Sequence, residues 1–509
     1  MNKSKQRKLG AILSYVSIVA STVVQLLYTP FLVAKLGQSE YGLYSLVSSI
    51  IGYLTILDLG FGNAIIVHTA KYRATGETRK EKTLHGMFRM VYLVIGVVAA
   101  IAGAIMSMNA GALFGESMSV EDVEKMRVML LILSLNLFMT FAFSIYSAII
   151  TASESFVFQK VLAIIGTIAK PLLMIPVLFL GYKSIALCVV ITVVNAGILI
   201  ANYIYCRKKL KVSAKFCGFD KSLFKVVFGY SFWIFLTQIV DQINWHADQF
   251  ILGIVSGTIA VAIYSAASQI NAMVVNLSTA ISGVMLPKIS GMVARKATNC
   301  ELTDELIKVG RIQFIIIFLI TSGFVLVGRD FIMMWLGDGF DESYVVSLLL
   351  ILPAILSLIQ NVGLAIMQAM NKFKFKAVST FVMALVNIVM SIFLSKAYGA
   401  TGAALGTTIS IIVCNIIVMN IYYKKVIKLD VFRFWRNILV MLMKYMVPIA
   451  LTVILITATK LHGWVAILTY GTVYVIMYLA MTYLFVANGY EKHLIDVFLK
   501  KVRLKRSKH

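Results

Sequence analysis

The sequence predicts an all-α protein that crosses a membrane about fourteen times, with two parallel-repeat six-helix bundles around a central cavity and two further helices at the C-terminus. Three observations carry this reading. The 509-residue chain is 60% hydrophobic and 14% charged, with a mean hydropathy of +0.89, whereas a soluble domain is about 45–50% apolar and about 25% charged. Its basic residues sort onto one side of the apolar segments. Stretches of its first half also reappear in its second half at nearly constant offsets.

At about 20 apolar residues per crossing, hydropathy places spans at 11–34, 41–68, 87–110, 128–150, 157–180, 184–205, 226–253, 258–286, 312–336, 343–370, 377–397, 400–423, 437–459 and 463–487. The first follows a short basic run. Its apolar stretch continues to Ala34 with no small-residue cleavage pattern, so it reads as a retained span and not a signal peptide. The second contains Asp58 in LDLGFG. The third and fourth are joined through the acidic stretch 111–127, the fifth holds Lys170 before Pro171, and the sixth ends in RKKLK. The seventh carries a polar stripe. The short acidic loop 337–343 joins the ninth to the tenth, and the last two spans lead to a basic tail with KKVRLKRSK at 500–508.

A formal charge of +25 could indicate a nucleic-acid partner. The loop census gives a simpler reason. Of the 47 Lys and Arg, 38 fall in one set of loops together with both termini, seven in the other, and Lys170 and Lys444 within spans. Basic residues are retained in cytoplasmic loops, so both termini of this multi-pass membrane protein are expected in the cytoplasm, with no nucleic-acid role. Lys444, near the cytoplasmic edge, is expected to snorkel. The five cysteines, Cys188, Cys206, Cys217, Cys300 and Cys414, show no CxxC and no metal-ligand spacing, and no disulfide framework is expected.

The repeat is weak but consistent. Gly37, Tyr44, Ser45 and Ser48 reappear as Gly257, Tyr264, Ser265 and Ser268, 220 residues on. Phe156, Phe158, Ala186, Tyr205, Arg207 and Lys208 correspond to Phe373, Phe375, Ala403, Tyr422, Lys424 and Lys425, 217 residues on. Spans one to six are therefore expected to be duplicated as seven to twelve. Because six is even, both copies run the same way, as in transporters built from parallel halves. The expected division is 1–210, 211–425 and 426–509.

Three segments then resemble a known family. TPFLVAKLGQSEYGLYSLVSSIIGYLTILDLGFGNAI in the first two spans, HADQFILGIVSGTIAVAIYSAASQI in spans seven and eight, and MNKFKFKAVSTFVMALVNIVMSIFLSKAYGATGAALGTTIS in spans eleven and twelve are similar to polysaccharide-repeat flippases of the O-antigen and capsule type. These belong to the multidrug/oligosaccharidyl-lipid/polysaccharide exporter superfamily. The resemblance covers most of residues 10–425. It implies translocation of a polyprenyl-pyrophosphate-linked oligosaccharide for cell-surface polysaccharide synthesis, with lipid-linked oligosaccharide, membrane lipids and other polysaccharide-assembly proteins as partners. Asp248 matches an acidic position of the family near the outer end of span seven; Gln249 stands where a basic residue often follows.

Charges within a membrane are costly and mark pathways or partners. In span seven, Gln238, Asp241, Gln242, Trp245, Asp248 and Gln249 fall on one helical stripe with His246 at its edge. The stripe reads either as a cavity wall, with Trp245 stacking on a sugar ring, or as an interhelical hydrogen-bond seam. Lys170 reads either as a phosphate contact or as an ion-pair partner of Asp58 or Asp241, and its counterpart at offset 217 is Asn387. Asp58 is flanked by the spaced glycines Gly60 and Gly62, which follow it, and no strand precedes them, so a dinucleotide loop is not indicated. There is no Walker-type loop, no catalytic constellation and no cofactor motif. The energy source is expected to be a coupling ion, proton or sodium, or the cargo gradient. The alternative function is an ion-coupled multidrug or small-cation exporter. A membrane glycosyltransferase or polymerase is disfavoured by the short outer loops.

Overall fold

Hydrocarbon offers backbone groups no water, so a lipid-facing chain must satisfy them within helices or a closed barrel. The computed structural model describes residues 3–506 other than Ser213, Cys217, Gly283 and Val284, and the described residues form helices, turns and loops without a strand. Cys217 and Lys508, named above, lie outside the described residues. The principal helices are α1 (Lys3–Leu36), α2 (Gln38–Leu54), α3 (Phe61–Thr75), α4 (Thr78–Met108), α5 (Val120–Ala152), α6 (Phe156–Phe179), α7 (Ser184–Lys208) and α8 (Lys221–Val255). They continue as α9 (Gly257–Ser282), α10 (Asn299–Leu336), α11 (Asp341–Leu358), α12 (Lys374–Ile411), α13 (Val431–Thr459), α14 (Gly463–Met481) and α15 (Gly489–Arg506).

Among the described residues, twelve helical segments are long and apolar enough to cross a membrane, or thirteen when the bent pair Lys221–Gly229 and Ile234–Val255 is taken as one span. The expectation was fourteen. The remaining difference sits in the 54-residue segment Lys374–Ile427, counted once. At 1.5 Å per residue it runs about 81 Å, against about 30 Å of hydrocarbon. Its helix is interrupted at Tyr398 (φ −133°, ψ 15°) and Gly399 (φ 54°, ψ −132°), between the expected spans 377–397 and 400–423. Fourteen is the count only when the segment is divided there.

Local backbone geometry recurs at the offsets read from the sequence. Left-handed residues occur in pairs 220 apart at Gly37 (φ 81°) and Gly257 (φ 79°), and at Gly76 (φ 73°) and Lys296 (φ 58°). They recur 217 apart at Glu154 (φ 56°) and Asn371 (φ 56°), and at Lys211 (φ 54°) and Lys428 (φ 64°). Positive φ is uncommon outside glycine, so matched positions are informative. The turns bond alike: Glu154 N–H to Thr151 C=O and Ser155 N–H to Ile150 C=O are repeated by Asn371 to Gln368 and Lys372 to Met367. The Phe158–Tyr205 stack, 3.9 Å between centroids, is repeated by Phe375–Tyr422 at 4.1 Å.

By packing, the described chain falls into two units, Met1–Ser265 with Ala384–Gly406 and Ala266–Met383 with Thr407–His509. The division expected above follows sequence equivalence instead. In the first unit, Phe61, Phe88, Tyr92, Phe141 and Ile149 of α3, α4 and α5 form a buried core with Leu223 and Val227 of α8. In the second, α13 and α14 are tied to α10 by buried tyrosines. Tyr474 bonds Ser322, Tyr478 donates to the Ile315 carbonyl (2.9 Å), and Tyr445 stacks on Tyr478 at 4.1 Å. The Lys444 ammonium donates to the Phe485 carbonyl (2.7 Å), one of the carbonyls left over at a helix end.

The buried Arg311 guanidinium grips Glu491 in a two-point contact of 2.7 and 2.8 Å, and also donates to the Val486 carbonyl. This fixes the start of α15 against α10. Removing one partner of such a pair strands the other charge, at a cost of about 3–5 kcal/mol. Glu491→Ala should therefore lower the melting temperature in detergent, and the double replacement Arg311→Leu/Glu491→Leu should recover much of the loss. Equal melting of Glu491→Ala and the parent would show that the pair does not anchor α15.

Candidate functional site

Span two is broken in mid-course. After α2 a single 3-10 turn, Thr55–Asp58, leads into Leu59 (φ 52°) and Gly60 (φ 73°), and α3 starts afresh at Phe61. The new helix start exposes N–H groups inside the bundle. Asp58 accepts from the backbone of Gly60 and Gly62, from Gln238 of α8, and from the Tyr92 hydroxyl at 2.8 Å. A carboxylate at a helix N-terminus satisfies unpaired donors and complements the helix dipole. Asp58 is therefore already held by four donors. Lys170 is not among them.

The polar stripe of α8 divides between environments. Gln238, Gln242 and His246, at i, i+4 and i+8, lie against span two. Gln238 bonds Asp58, the Gln242 amide donates to Thr55 Oγ1 (3.1 Å), and the His246 ring packs over Gly52. A Cβ on Gly52 would sit 2.8 Å from His246 Nε2, so glycine admits the ring. Asp241 and Trp245 are turned away from this seam and are exposed. Asp241 makes no hydrogen bond or ion pair among the described residues. A carboxylate exposed in mid-span requires water or a polar ligand, not lipid. The expected single face is thus two edges, because a stripe this wide meets a neighbouring helix on one side only.

Asp248 departs from the cavity-facing expectation. It is 4% exposed, and accepts from the Tyr264 hydroxyl of α9 (2.5 Å) and the Ser391 hydroxyl of α12 (2.8 Å). Asn387, one turn before Ser391, is buried beside it, with its Oδ1 3.4 Å from the Ser391 hydroxyl. The first copy has a counterpart at the same offsets. Tyr28 stands for Asp248 and Met174 for Ser391, and the Tyr28 hydroxyl bonds the Met174 sulfur at 3.0 Å. Lys170 stands for Asn387, on the same face of α6 as Gly166 and Met174. It forms no hydrogen bond or ion pair among the described residues. The expected pairing of Lys170 with Asp58 or Asp241 is therefore not made.

The ends of the spans remote from the basic loops cross closely. A Cβ on Gly42 of α2 would lie 1.9 Å from the Thr258 carbonyl oxygen of α9 and 3.2 Å from the Ala262 nitrogen. Ser39 and Thr258 share a hydroxyl–hydroxyl bond of 2.7 Å. Gly42 and Ala262 are 220 apart, so equivalent positions meet each other, as at a two-fold axis. Ser117 donates to the Gly253 carbonyl (2.7 Å) and Ser49 to the His246 carbonyl (3.1 Å), adding the loop before α5 and α8 itself to the crossing. Tyr92 and Ser391 were not singled out from the sequence, and Tyr264 only as a repeat position: hydroxyls are common in apolar spans, and the partner across the bundle distinguishes them.

The comparisons agree with this architecture. A family profile described as polysaccharide biosynthesis protein matches residues 9–293. A Shigella flexneri protein named "Putative O-antigen transporter" is 23% identical over 399 residues, covering 77% of this chain and 92% of its own. Among solved structures, a lipid II flippase MurJ in an inward closed conformation superposes with a TM-score of 0.72 at 18% identity, over 94% of this chain and 98% of its own. An inward-facing MATE-family multidrug transporter gives 0.66 at 13%, over 80% and 96%. At such identities these two establish the fold, a helical MurJ/MATE-like architecture.

Two measurements check the geometry. In a background without native cysteines, Ser39→Cys/Thr258→Cys should oxidise readily to a disulfide, and adding Gly42→Val should suppress it by forcing the helices apart. Single cysteines at Asp241 and Trp245 should react with a water-soluble thiol reagent at least about tenfold faster than those at Gln238 and Gln242, a difference of about 1.4 kcal/mol. Uniform reactivity along the stripe would remove the two-edge description.

Proposed function

The chain belongs to the polysaccharide biosynthesis protein family, and from that premise we propose that it flips a polyprenyl-pyrophosphate-linked oligosaccharide from the cytoplasmic to the outer leaflet of the bacterial cytoplasmic membrane by alternating access. The observation that carries the reading is the exposed pair Asp241 and Trp245, one turn apart in mid-span. A carboxylate accepts hydrogen bonds from sugar hydroxyls, and an indole face offers a platform for a ring. A wall of this kind suits a glycan better than it suits the hydrocarbon of a lipid. The recurrent turns and stacks support descent from two parallel six-helix copies, 1–210 and 211–425, with 426–509 added. The sorting of basic residues supports cytoplasmic termini. In this orientation the Gly42–Thr258 crossing is the outer gate, closed here.

Cargo binding at the wall and energy input are separable in this reading. Asp248, buried with two hydroxyl partners, is the coupling carboxylate: exchanging a proton or sodium there would loosen its hold on α9 and α12. One charge moved through the full field supplies about 2.3 kcal/mol per 100 mV, enough to bias a cycle. Lys170, an unpaired ammonium in the first copy, is a candidate contact for the pyrophosphate. The MATE likeness and the free Asp241 carboxylate favour the second reading, an exporter of small cations.

Reconstituted protein decides between them. Proteoliposomes with a labelled lipid-linked oligosaccharide should show flipping that rises with an imposed proton or sodium gradient. Trp245→Ala should slow it about tenfold, or about 1.4 kcal/mol. Asp248→Asn should abolish the gradient response while cargo binding persists. Transport of cationic drugs without movement of the oligosaccharide would replace the flippase reading with the exporter. Full gradient response in Asp58→Asn, Asp241→Asn and Asp248→Asn alike would end carboxylate coupling.

A further inference from the structure

The face of α8 that packs on span two holds a row of buried acceptors with nothing to accept from. The Oε1 atoms of Gln238 and Gln242, Nδ1 of His246 and the hydroxyl of Ser231 are each shielded from solvent and have no hydrogen-bond partner among the described residues. Gln238, Gln242 and His246 fall four residues apart on one line of the stretch Ile234–Val255, and Ser231 lies in the bend before it. Span two supplies no donor to them. Each glutamine amide directs one N–H elsewhere, to Asp58 and to Thr55, and the Thr55 hydroxyl donates to the Gly52 carbonyl (2.6 Å). A buried polar atom left unpaired costs about 1–3 kcal/mol, so three or four in one seam is an improbable accident of packing.

The fold does not require this polarity. At offset 220, Ser231, Gln238, Gln242 and His246 correspond to Ala11, Ile18, Thr22 and Leu26 of α1. Two of those are aliphatic, one is alanine, and Thr22 satisfies its hydroxyl on the Ile18 carbonyl at 3.0 Å. The same position in the first copy thus works without an acceptor row. The row is a feature added to the second copy alone.

What the row lacks is a donor with two hydrogens at the right spacing. Side chains four apart on a helix stand about 5–6 Å apart at Cβ, a gap one water spans by donating to both. A metal cation fits less well, because Asp58, among the described residues the only carboxylate bonded to this row, is already held by four donors. We propose that the seam between span two and α8 binds a file of waters, one bridging Gln238 to Gln242 and one bridging Gln242 to His246. The file links the carboxylate of Asp58, through Gln238, to the imidazole of His246. It forms a hydrogen-bonded seam inside the wall, apart from the exposed Asp241 and Trp245. Buried waters of this kind make about three hydrogen bonds to groups otherwise unsatisfied.

X-ray hydroxyl-radical footprinting of the full chain in nanodiscs tests the file directly, because radicals form from water bound beside a side chain. His246 and Tyr53, whose rings lie 6.0 Å apart, should be oxidised at least fivefold faster than Tyr474, which is buried in the tyrosine cluster of the other unit. Gln242→Met, close to the same shape without the acceptor, should bring His246 down to the Tyr474 rate with the melting temperature unchanged or raised. Oxidation of His246 in the parent at or below the Tyr474 rate would overturn the bound file. An unchanged rate of His246 oxidation in Gln242→Met would overturn the bridging role given to Gln242. Neither result bears on which cargo is carried, so failure here is distinct from failure of the flippase reading.

Discussion

The carboxylate of Asp58 is the interaction on which the described site depends. Breaking a helix inside a bilayer frees N–H groups that hydrocarbon does not satisfy. Asp58 accepts from Gly60 and Gly62 at the new helix start, and in the same place from Tyr92 and Gln238. One side chain therefore satisfies the break, joins it to α4 and registers it against α8. The positions of Thr55 against Gln242 and of Gly52 against His246 follow from that register. Losing the carboxylate would leave a broken span with nothing to hold its break.

A second constraint is close approach without side chains. Gly42 leaves room for the Thr258 carbonyl where any Cβ would collide, and the hydroxyls of Ser39 and Thr258 close the contact. In lipid, where apolar burial does little to drive helix association, small residues and interhelical hydrogen bonds are what hold helices together. Such a contact releases little apolar surface when it parts. That suits a crossing that must open and close, unlike the tyrosine cluster and the Arg311–Glu491 pair that bind α13, α14 and α15 to α10.

The recurrence at offsets of 217 and 220 residues is one of turns and aromatic stacks. Turns and stacks have been kept, down to the left-handed residues and their hydrogen bonds. The side chains inside have diverged. Asp248, Ser391 and Asn387 in one copy stand for Tyr28, Met174 and Lys170 in the other. The shared backbone supplies two equivalent places among the spans, and charge has been put into them with opposite sign. The acceptor row of α8, absent from α1, is a further asymmetry of the same kind.

Much of this was legible from the chain alone. Hydropathy located the spans, because a bilayer demands long apolar helices. The 217 and 220 offsets were visible because turn residues and paired aromatics tolerate few replacements. The residues of interest in span seven were also found, since polarity in an apolar helix stands out. What periodicity could not supply was the neighbour at each angle around the axis. It set Gln242 and Asp241 on one stripe, yet span two covers one and leaves the other open. It gave Asp248 no indication of Tyr264 and Ser391, which approach from helices 16 and 143 residues away. It offered Lys170 to Asp58, which had already been filled by donors from α4 and α8. A sequence determines the angle at which a side chain leaves its own helix; which helix stands opposite is decided by long-range packing, and only the tertiary structure holds that.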